Sequence, residues 1–423
     1  MSDAERAVRT SSVDLGAVEP ARSRHAGKRS SVALTPDVAV VGTAGGTARA
    51  FARPTLDERW HADAGDAALV SAEPFADGVV VGERGPEGEI RLHDAATGAV
   101  RWRYRTADDV GEPVDETRFQ LPFVASLAAS DDRLYAAARR YERVDGERRF
   151  ESVLYAFDPD GTVVWRYRTD ASPISVAADA DRVAVAYNRC PGDHQHGLVV
   201  LDAATGTVRW TWDPGTDGDR RVGDVSLCRE GVAVASHGDY RGYRLGPGGT
   251  KRWRVDLATP VDRGDERLYA YPNHVHAGER SEPADGASGS ERSEPAGIVF
   301  VTGNTYAVNT RETDGLHPAE HTAFGYAPDG ERRWSASVGG FAGEVGTDSD
   351  RVAIPGAQHF RRRDPDAHGL RRFGVVDGPA GTLDTDGVVV AAALDGDTVA
   401  AVEEPVAYHD GDGTVGAYRL IVD

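Results

Sequence analysis

The chain has 423 residues, of which 40% are hydrophobic and 27% charged. That composition is typical of a globular protein with room for one large domain or two to three average ones. Lys and Arg number 48 against 68 Asp and Glu, a formal net charge of −20, which argues against nucleic-acid binding because that function requires a basic surface. Two cysteines, Cys190 and Cys228, exclude a disulfide framework.

Arginine supplies nearly all the positive charge, since lysine occurs only at Lys28 and Lys251. An acidic, lysine-poor, Asp-rich composition is similar to that of cytoplasmic proteins of extreme halophiles. At about 1 M salt the Debye length is only about 3 Å, so the self-repulsion of such a surface is screened. The alternative interpretation of the charge is a site for a basic partner.

No run approaches the roughly 18 apolar residues of a membrane helix. The first 31 residues contain no apolar signal region, twin arginine or lipid-attachment cysteine. We therefore expect a protein without a membrane span, located in the cytoplasm. Residues 1–10 are predicted to be a flexible N-terminus, and a short strand is predicted at 11–18.

In chain order, an apolar strand, an Asp- or Gly-rich turn and a second apolar strand then recur eight times. The copies lie at 31–43, 69–83, 124–138, 174–187, 225–236, 268–304, 344–357 and 388–404. The sixth copy is interrupted by 279–296, which repeats ERSEPA and is rich in Gly, Ser, Glu and Pro. This insertion is predicted to be a disordered loop.

A second hairpin alternates with the first, and its clearest copy is "LYAFDPDGTVVWRY" (154–167). A glycine there is followed four residues later by a tryptophan, and the turn suits a type I turn closed by a left-handed residue and a bulge. A further copy at 375–384 has Thr385 in place of the tryptophan. Six of the seven tryptophans occupy this one repeat position: Trp60, Trp102, Trp165, Trp210, Trp253 and Trp334. Each is predicted to lie over the next unit's hairpin, with its N–H reaching a backbone carbonyl.

The two hairpins together make a four-stranded antiparallel unit of about 42–50 residues, a length that stacks around an axis as propeller blades. We call the strands A (inner) to D (outer). The predicted fold is an all-β propeller over residues 11–423, with eight blades, or seven if the last one collapses. The strand at 11–18 is predicted to complete the last blade, because closing the ring with both termini removes exposed edges.

The segments "YAFDPDGTVVWRY", "LDAATGTVRW" and "LHDAATGAVRW" resemble the Ala-x-Asp-x-x-x-Gly-x-x-x-Trp docking repeat of the PQQ-like (quinoprotein) β-propeller family. The resemblance covers roughly 31–423 and suggests a haloarchaeal member of the branch of the BamB assembly scaffold. PQQ-dependent alcohol dehydrogenases of this family share a vicinal Cys–Cys ring, a calcium site and a catalytic aspartate. Here the cysteines are 38 positions apart and no such set aligns, so the sequence argues against PQQ and predicts no cofactor and no catalytic residue.

Strand order places the B–C and D–A loops on one face, which we call the top face, and the A–B and C–D turns on the opposite, bottom face. Long loops are predicted at 106–118, 139–150, 188–197, 305–321 and 361–369, all on the top face. Because long loops on a rigid scaffold are where function concentrates, the top face is the predicted working face. Cys190 should end a B strand there and Cys228 an A strand near the bottom, with no bond between them.

Candidate side chains fall into three groups, two on or beside these loops and one on the inner strand of blade 6. Weak metal-ligand candidates are Cys190, Asp193, His194, His196, His317 and His321, for which a polar loop is the simpler interpretation. Partner-binding candidates are Arg118, Arg139, Arg140, Arg361, Arg362 and Arg363, since arginine forks suit carboxylates and phosphates, although they could instead neutralise neighbouring acids. Channel-lining candidates are His274 and His276, which could equally be structural.

The leading hypothesis is a non-catalytic scaffold that binds a protein or peptide partner on the top face. The alternative is a small-ligand binder or a quinone- or metal-dependent oxidoreductase using the central funnel. Carboxylates and an amide converging at the funnel mouth would favour the enzyme. An arginine-rich or apolar rim without a pocket would favour the scaffold.

Overall fold

The computed structural model describes residues 10–21, 29–63, 65–114, 121–130, 132–279, 296–356, 365–408 and 413–423. Most of the predicted insertion at 279–296 lies outside these residues. So do Arg118, Arg361, Arg362 and Arg363. Within the described residues, no helix has the length and apolar composition that crossing a membrane requires.

The described strands form four-stranded antiparallel units, named blades 1 to 8 in chain order, and the pairing of Phe123 with Arg84 joins blades 2 and 3 into one sheet. The exact number of blades in the ring stays a prediction. Blade 1 contains β2 (Ser31–Leu34), β3 (Val38–Gly42), β4 (Thr47–Ala52) and β5 (Glu58–Asp63). Blade 2 contains β6 (Ala68–Phe75), β7 (Gly78–Arg84), β8 (Glu89–Asp94) and β9 (Val100–Arg105). Blade 3 contains β10 (Phe123–Ser130), β11 (Arg133–Val144), β12 (Glu147–Phe157) and β13 (Val163–Thr169). Blade 4 contains β14 (Ser172–Ala178), β15 (Arg182–Arg189), β16 (Leu198–Asp202) and β17 (Val208–Trp212).

The second half of the chain repeats this pattern with additions. Blade 5 contains β18 (Val222–Cys228), β19 (Gly231–Ser236), β20 (Arg241–Leu245) and β21 (Lys251–Asp256). Blade 6 contains β23 (Glu266–Gly278), β24 (Gly297–Ala307), β25 (Thr322–Tyr326) and β26 (Arg332–Ser337), with β22 (Val261–Arg263) beside β23. Blade 7 contains β27 (Gly346–Asp348), β28 (Arg351–Gly356), β29 (Gly369–Gly374) and β30 (Gly378–Leu383). Blade 8 contains β31 (Val388–Asp395), β32 (Thr398–Glu404), β35 (Arg419–Val422) and β1 (Ser11–Asp14). The helix α1 (Ala107–Val110) follows β9, and β33 (Val406–Ala407) pairs with β34 (Thr414–Val415).

The burial of each strand follows its place in the blade. Middle strands such as β3 are apolar and buried along their whole length, because neighbouring blades cover both faces. Outer strands such as β13 alternate between half-buried and exposed side chains, since one face lies on the next blade and the other meets solvent. The period of two in the sequence therefore marks the D strands, and continuous apolar runs mark the inner ones.

Apolar clusters join consecutive blades all the way round. The pairs run from blades 1 and 2 to blades 7 and 8. One more cluster packs Val402 and Leu420 of blade 8 against Val41 and Phe51 of blade 1. The core is thus a closed series of interfaces between blades.

The ring closes as the sequence predicts, with an N-terminal strand in the last blade. β1 pairs antiparallel with β35, from Ser11 opposite Val422 to Asp14 opposite Arg419. Since β1 lies outside β35, the N-terminus supplies strand D of blade 8. The all-β propeller prediction, with both chain ends in one blade, is confirmed.

The tryptophans repeat one contact with the following blade. Trp165 Nε1 donates a hydrogen bond to Ala203 O at 3.0 Å. Its ring lies over Gly206, which has a φ of +70° and no room for a Cβ. The equivalent indole nitrogens of Trp60, Trp102, Trp253 and Trp334 donate to Ala95, Pro159, Pro328 and Val375 carbonyls at 2.7–3.2 Å. Trp210 lies against Gly249, where an added Cβ would be 3.2 Å from the indole Cε3.

The predicted repeat register is wrong in blade 7. Trp334 lies over Gly378, so the turn closes there, and a bulge after Arg372 puts Gly381 opposite Arg372, the place that Trp165 takes opposite Ala156. Thr385 is therefore not the missing tryptophan's equivalent. Blade 7 needs no docking tryptophan, because blade 8 receives its outer strand from the N-terminus and has no C–D hairpin on which a tryptophan could dock.

The prediction of a long loop at 139–150 is also wrong. β11 and β12 continue through it, pairing from Arg139 opposite Ser152 to Val144 opposite Glu147. Asp145 and Gly146 have φ values of +53° and +84°, as a two-residue Asp-Gly hairpin turn requires. Blade 3 therefore carries a rigid hairpin on its top side.

Candidate functional site

The B–C and D–A connections meet on one face, the top face. The backbone N–H of Cys190, directly after β15, donates to Asp219 O in the next D–A connection at 2.9 Å. Arg140 Nε donates to Val110 O, at the end of α1, at 2.8 Å. These contacts tie loops of neighbouring blades into one surface. Cys190 thus directly follows the end of a B strand there, Cys228 ends β18, and both are free.

Four arginines follow one another along the inner rim of the top face: Arg84, Arg139, Arg189 and Arg220. We call them the arginine arc. Phe123, the first residue of β10, is paired in register with both Arg84 and Arg139. Arg139 Nη1 donates to the hydroxyl of Ser172, which is paired with Arg189, and Arg189 forms a β-bridge to Arg220. Backbone pairing, together with the hydrogen bond between Arg139 and Ser172, therefore places the four in a row from blade 2 to the edge of blade 5.

The arc carries positive charge that the described protein only partly neutralises. Arg189 pairs with Asp219 at 2.9 Å, whereas Arg139 and Arg220 have no described carboxylate within 4.0 Å. Burial, together with Arg84 and Arg189 beside it, lowers the pKa of Arg139 to about 10. Burial and the neighbouring Arg220 lower the pKa of Arg189. An anion placed at the arc would relieve this repulsion.

Aromatic rings lie next to these guanidinium groups. Arg139 Cζ lies 4.4 Å from the centre of the Phe123 ring, and Arg220 Cζ lies 4.6 Å from that of Tyr271. Tyr271 belongs to a cluster on blades 5 and 6 that also contains Tyr240, Tyr269 and Tyr306. The face therefore offers cationic and aromatic groups side by side, the residue types enriched in binding hot spots.

Among the predicted partner-binding arginines, the structure separates Arg139 from Arg140. Arg139 belongs to the arc. Arg140 is used internally, since it bonds Val110 O and pairs with Glu142 at 2.7 Å. The sequence interpretation missed Arg84, Arg189 and Arg220. Arg84 and Arg189 each come at the end of a B strand, a repeat position that an alignment of the blades would have shown.

The cysteine- and histidine-containing loop of blade 4 is held by its own hydrogen bonds. The backbone N–H groups of Asp193 and His194 donate to the carboxylate of Asp170 at 2.5 and 2.9 Å. His194 Nε2 donates to His196 O at 2.8 Å, and the Cys190 thiol donates to the same carbonyl at 3.6 Å. Burial raises the pKa of Cys190 to about 12, which keeps it a thiol.

The two histidines of the blade 6 loop are buried. His317 Nδ1 accepts from Ala319 N–H at 3.1 Å while its Nε2 donates to Thr259 O at 3.1 Å, so both ring nitrogens are engaged. His321 Nε2 lies 2.8 Å from Asn304 Oδ1. Within the described parts of the chain, no three His, Cys, Asp or Glu side chains are grouped as a metal site.

A central cavity of about 610 Å³ runs between the inner strands, and His274 and His276 line it. His274 Nε2 donates to Ala342 O and His276 Nε2 to Asp348 O, both at 2.9 Å. These bonds cross from blade 6 to blade 7. Burial lowers the pKa of His276, which favours its neutral form.

Other polar side chains of the channel wall also bridge neighbouring blades. The hydroxyl of Ser126 accepts from Val176 N–H at 3.1 Å and that of Ser226 from Ala277 N–H at 3.0 Å. Asp224 Oδ2 accepts from Val275 N–H at 2.8 Å. Each bond satisfies a backbone donor on the exposed edge of the next inner strand. Much of the polarity of the channel therefore serves the ring itself.

Glu73 is a carboxyl of the channel whose ionisation is altered by its surroundings. Its surroundings desolvate it, and Glu344 adds repulsion, while a hydrogen bond from the Ala129 backbone acts in the opposite direction. Burial as the main cause raises the pKa of Glu73 to about 7. The amide side chains of Asn273 and Asn304 line the same cavity.

Comparison with three solved structures shows the fold alone, because their identities to this chain are 11–13%. The computationally designed Ika8 protein has a TM-score of 0.50 at 11% identity, covering 95% of this chain and 99% of that chain. BamB from Moraxella catarrhalis has a TM-score of 0.40 at 13% identity, covering 98% and 97%. Quinohemoprotein alcohol dehydrogenase from Comamonas testosteroni has a TM-score of 0.54 at 12% identity, covering 92% and 74%.

No curated protein matches the sequence. A profile of the family described as outer membrane protein assembly factor BamB matches residues 44–227 and 149–261. The two matches together span 44–261, or 218 of 423 residues. Because this is more than half of the chain, the protein belongs to the family of the outer membrane protein assembly factor BamB.

Proposed function

We propose that this protein is a non-catalytic propeller scaffold that binds an acidic segment of a protein or peptide partner on its top face. The observation that carries the proposal is the arginine arc, a continuous row of guanidinium groups in a protein with a net charge of −20. Arginine presents a planar fork that matches carboxylates in pairs of hydrogen bonds. Such a row is suited to an extended chain that carries several carboxylates.

The position of the arc supports the same function. Its residues are held by paired backbone across four blades, so little ordering of the protein would accompany binding. The hairpin of residues 139–152 stands beside it, with the Tyr141 and Phe150 rings 5.2 Å apart. The family to which the chain belongs is described as an assembly factor, which supports an interaction role. We infer the acidic character of the partner from the arginine arc.

A direct test is the binding of a fluorescein-labelled deca-glutamate peptide, followed by fluorescence anisotropy. The wild-type chain should bind, and the variant with Arg139→Gln and Arg220→Gln should bind at least about tenfold more weakly, because it loses the two arginines without a described carboxylate partner. Raising the salt to about 1 M should weaken binding, since the Debye length falls to about 3 Å.

The matched control is Arg143→Gln, on the same hairpin but outside the arc, where Arg143 bonds the hydroxyl of Tyr141 at 3.1 Å. It should leave the affinity within about twofold, and thermal melts should show that all variants fold. Equal affinity of the wild type and the double variant, or no binding of the peptide, would contradict the proposal.

A second candidate is a small-ligand binder or oxidoreductase that uses the central cavity, favoured by the raised pKa of Glu73 in a cavity that two amide side chains also line. Metal analysis and quinone absorbance of the purified protein would separate the candidates. Stoichiometric metal or quinone would support the cavity and overturn the scaffold. Their absence, together with peptide binding at the arc, would support the scaffold.

A further inference from the structure

One residue of the bottom C–D turn differs between blades 2 to 4 and blades 5 and 6. It is the residue that opens the turn, and its N–H donates to a carbonyl four or five positions on in every one of these blades. The turn-opening residues are Asp94, Asp158 and Asp202 in blades 2 to 4, and Gly246 and Ala327 in blades 5 and 6. In blades 5 and 6 the turn therefore keeps this backbone hydrogen bond but lacks the aspartate carboxylate.

In blades 2 and 4 this carboxylate pairs with the arginine that precedes the docking tryptophan, whereas in blade 3 that position is Val164. Arg101 lies 2.5 Å from Asp94, and Arg209 lies 2.7 Å from Asp202. The hydrogen bond from the arginine holds the pKa of Asp94 and that of Asp202 at about 2. In blades 5 and 6 the same positions are Arg252 and Arg333, which face turns without that aspartate.

These two arginines line one groove between blades 5 and 6 on the bottom face. Its volume is about 800 Å³, and we call it the arginine groove; it is lined by Arg229, Arg244, Arg252 and Arg333, with Glu230, Asp329 and the ring of Trp253. None of the four arginines lies within 4.0 Å of a carboxylate of the described chain. Arg333 donates to Ala296 O at 2.8 Å.

Arg244 is the clearest sign that the groove is built for an anion. It is 8% exposed and paired opposite Trp253. The equivalent residues opposite Trp102, Trp165 and Trp210 are apolar: Leu92, Ala156 and Val200. Arg244 Nη1 donates to Leu245 O at 2.7 Å, a neutral acceptor. A buried guanidinium without a carboxylate is costly, and an anion in the groove would reduce that cost.

We infer that the arginine groove binds a small multivalent oxyanion, carrying phosphate or carboxylate groups. Four guanidinium groups against two carboxylates leave an excess of positive charge in the groove. Planar arginine forks bond the oxygens of both kinds of anion in pairs. The groove lies on the bottom face, so this site is independent of the arginine arc and of the proposed function.

The blades themselves supply a test, the restoration of the lost carboxylate by Ala327→Asp. This variant has the turn residue that blade 3 carries as Asp158, so the turn should fold unchanged and place a carboxylate beside Arg333. Isothermal titration with tripolyphosphate and, separately, with citrate is the measurement, with sulfate at matched ionic strength as the screening control. Wild-type protein should bind one of the two probes, and A327D should bind it at least about tenfold more weakly.

Two arginine variants distinguish binding in the groove from non-specific attraction of the anion to positive charge. Arg209→Gln removes a paired arginine at the same repeat position and should leave the affinity within about twofold, whereas Arg252→Gln should weaken binding as A327D does. Binding of tripolyphosphate alone identifies a phosphate ligand, and binding of citrate alone a carboxylate ligand. Equal affinity of wild type and A327D, or binding of neither probe by folded wild type, would overturn the inference.

Discussion

The outer edge of the ring and the wall of the central channel both contain contacts that hold neighbouring blades together, and they use different residues for this. At the outer edge one residue type recurs, a tryptophan whose N–H bonds a carbonyl of the next blade, as Trp165 bonds Ala203. At the channel wall the bridging groups change from blade to blade, with serine, aspartate and histidine in turn. Each docking tryptophan contacts the C–D turn of the next blade, whereas the channel side chains bond different backbone groups of the next blade.

The largest expected effect lies at the outer edge. Trp165→Ala should lower the free energy of unfolding by about 3–5 kcal/mol, because it removes a large packed ring and its hydrogen bond to Ala203. Val164→Ala on the same strand, where the valine is 42% exposed, should stay within about 0.5 kcal/mol. Urea unfolding measures both. Similar losses for the two variants would remove the distinction between docking and surface positions.

The next effect concerns the channel wall and depends on pH. The folded pKa of Glu73 is raised from 4.5 to about 7, so the folded state binds this proton more tightly than the unfolded state. Its contribution to stability is therefore greatest below about pH 4.5 and falls as the pH rises to about 7, by about 3 kcal/mol. Glu73→Gln should remove that pH dependence, so the variant gains on the wild type as the pH rises.

Thermal melts between about pH 4.5 and 8 provide this measurement. The control is Asp160→Asn, an exposed side chain in the turn of blade 3. A constant difference in melting temperature between wild type and Glu73→Gln across this range would show that Glu73 does not titrate there.

The smallest of the three effects is the loss of a single bridging bond in the channel. Ser226→Ala leaves the Ala277 N–H without its acceptor, and an unsatisfied buried donor costs about 1–3 kcal/mol. Hydrogen exchange of the Ala277 amide should speed up accordingly, while Ser335→Ala, on the exposed side of β26, should change nothing. Unchanged protection at Ala277 would mean that the bridge contributes little.

The outer edge could be predicted from the sequence because its chemistry is local and periodic. The Gly-to-Trp spacing marks the hairpins, and the strand left over at each end of the chain points to ring closure, which β1 and β35 confirm. The prediction failed in blade 7 because a bulge there puts Gly381 at the position where the other repeats have a tryptophan. The hairpin at Asp145–Gly146 was signalled by its Asp-Gly pair and read as a loop.

The candidate site was harder to predict because its residues meet only through the ring. Arg84, Arg139 and Arg189 are about 50 positions apart in the sequence, and nothing local distinguishes them from arginines that neutralise acids, as Arg140 does. The arginine groove exists because Gly246 and Ala327 stand where blades 2 to 4 have an aspartate. That difference is seen only when the blades are compared with one another. The halophilic and cytoplasmic expectations stay predictions.

The central claim, an acidic segment bound at the arginine arc, is tested most directly by photo-cross-linking. A deca-glutamate peptide with a benzophenone group would be irradiated with the purified protein, and the cross-linked peptides identified by mass spectrometry. Cross-links should concentrate on the top of blades 2 to 6, around Phe123, Ser172 and Tyr271, and should disappear in the variant with Arg139→Gln and Arg220→Gln. Cross-links confined to the bottom turns, or equally abundant in that variant, would contradict it.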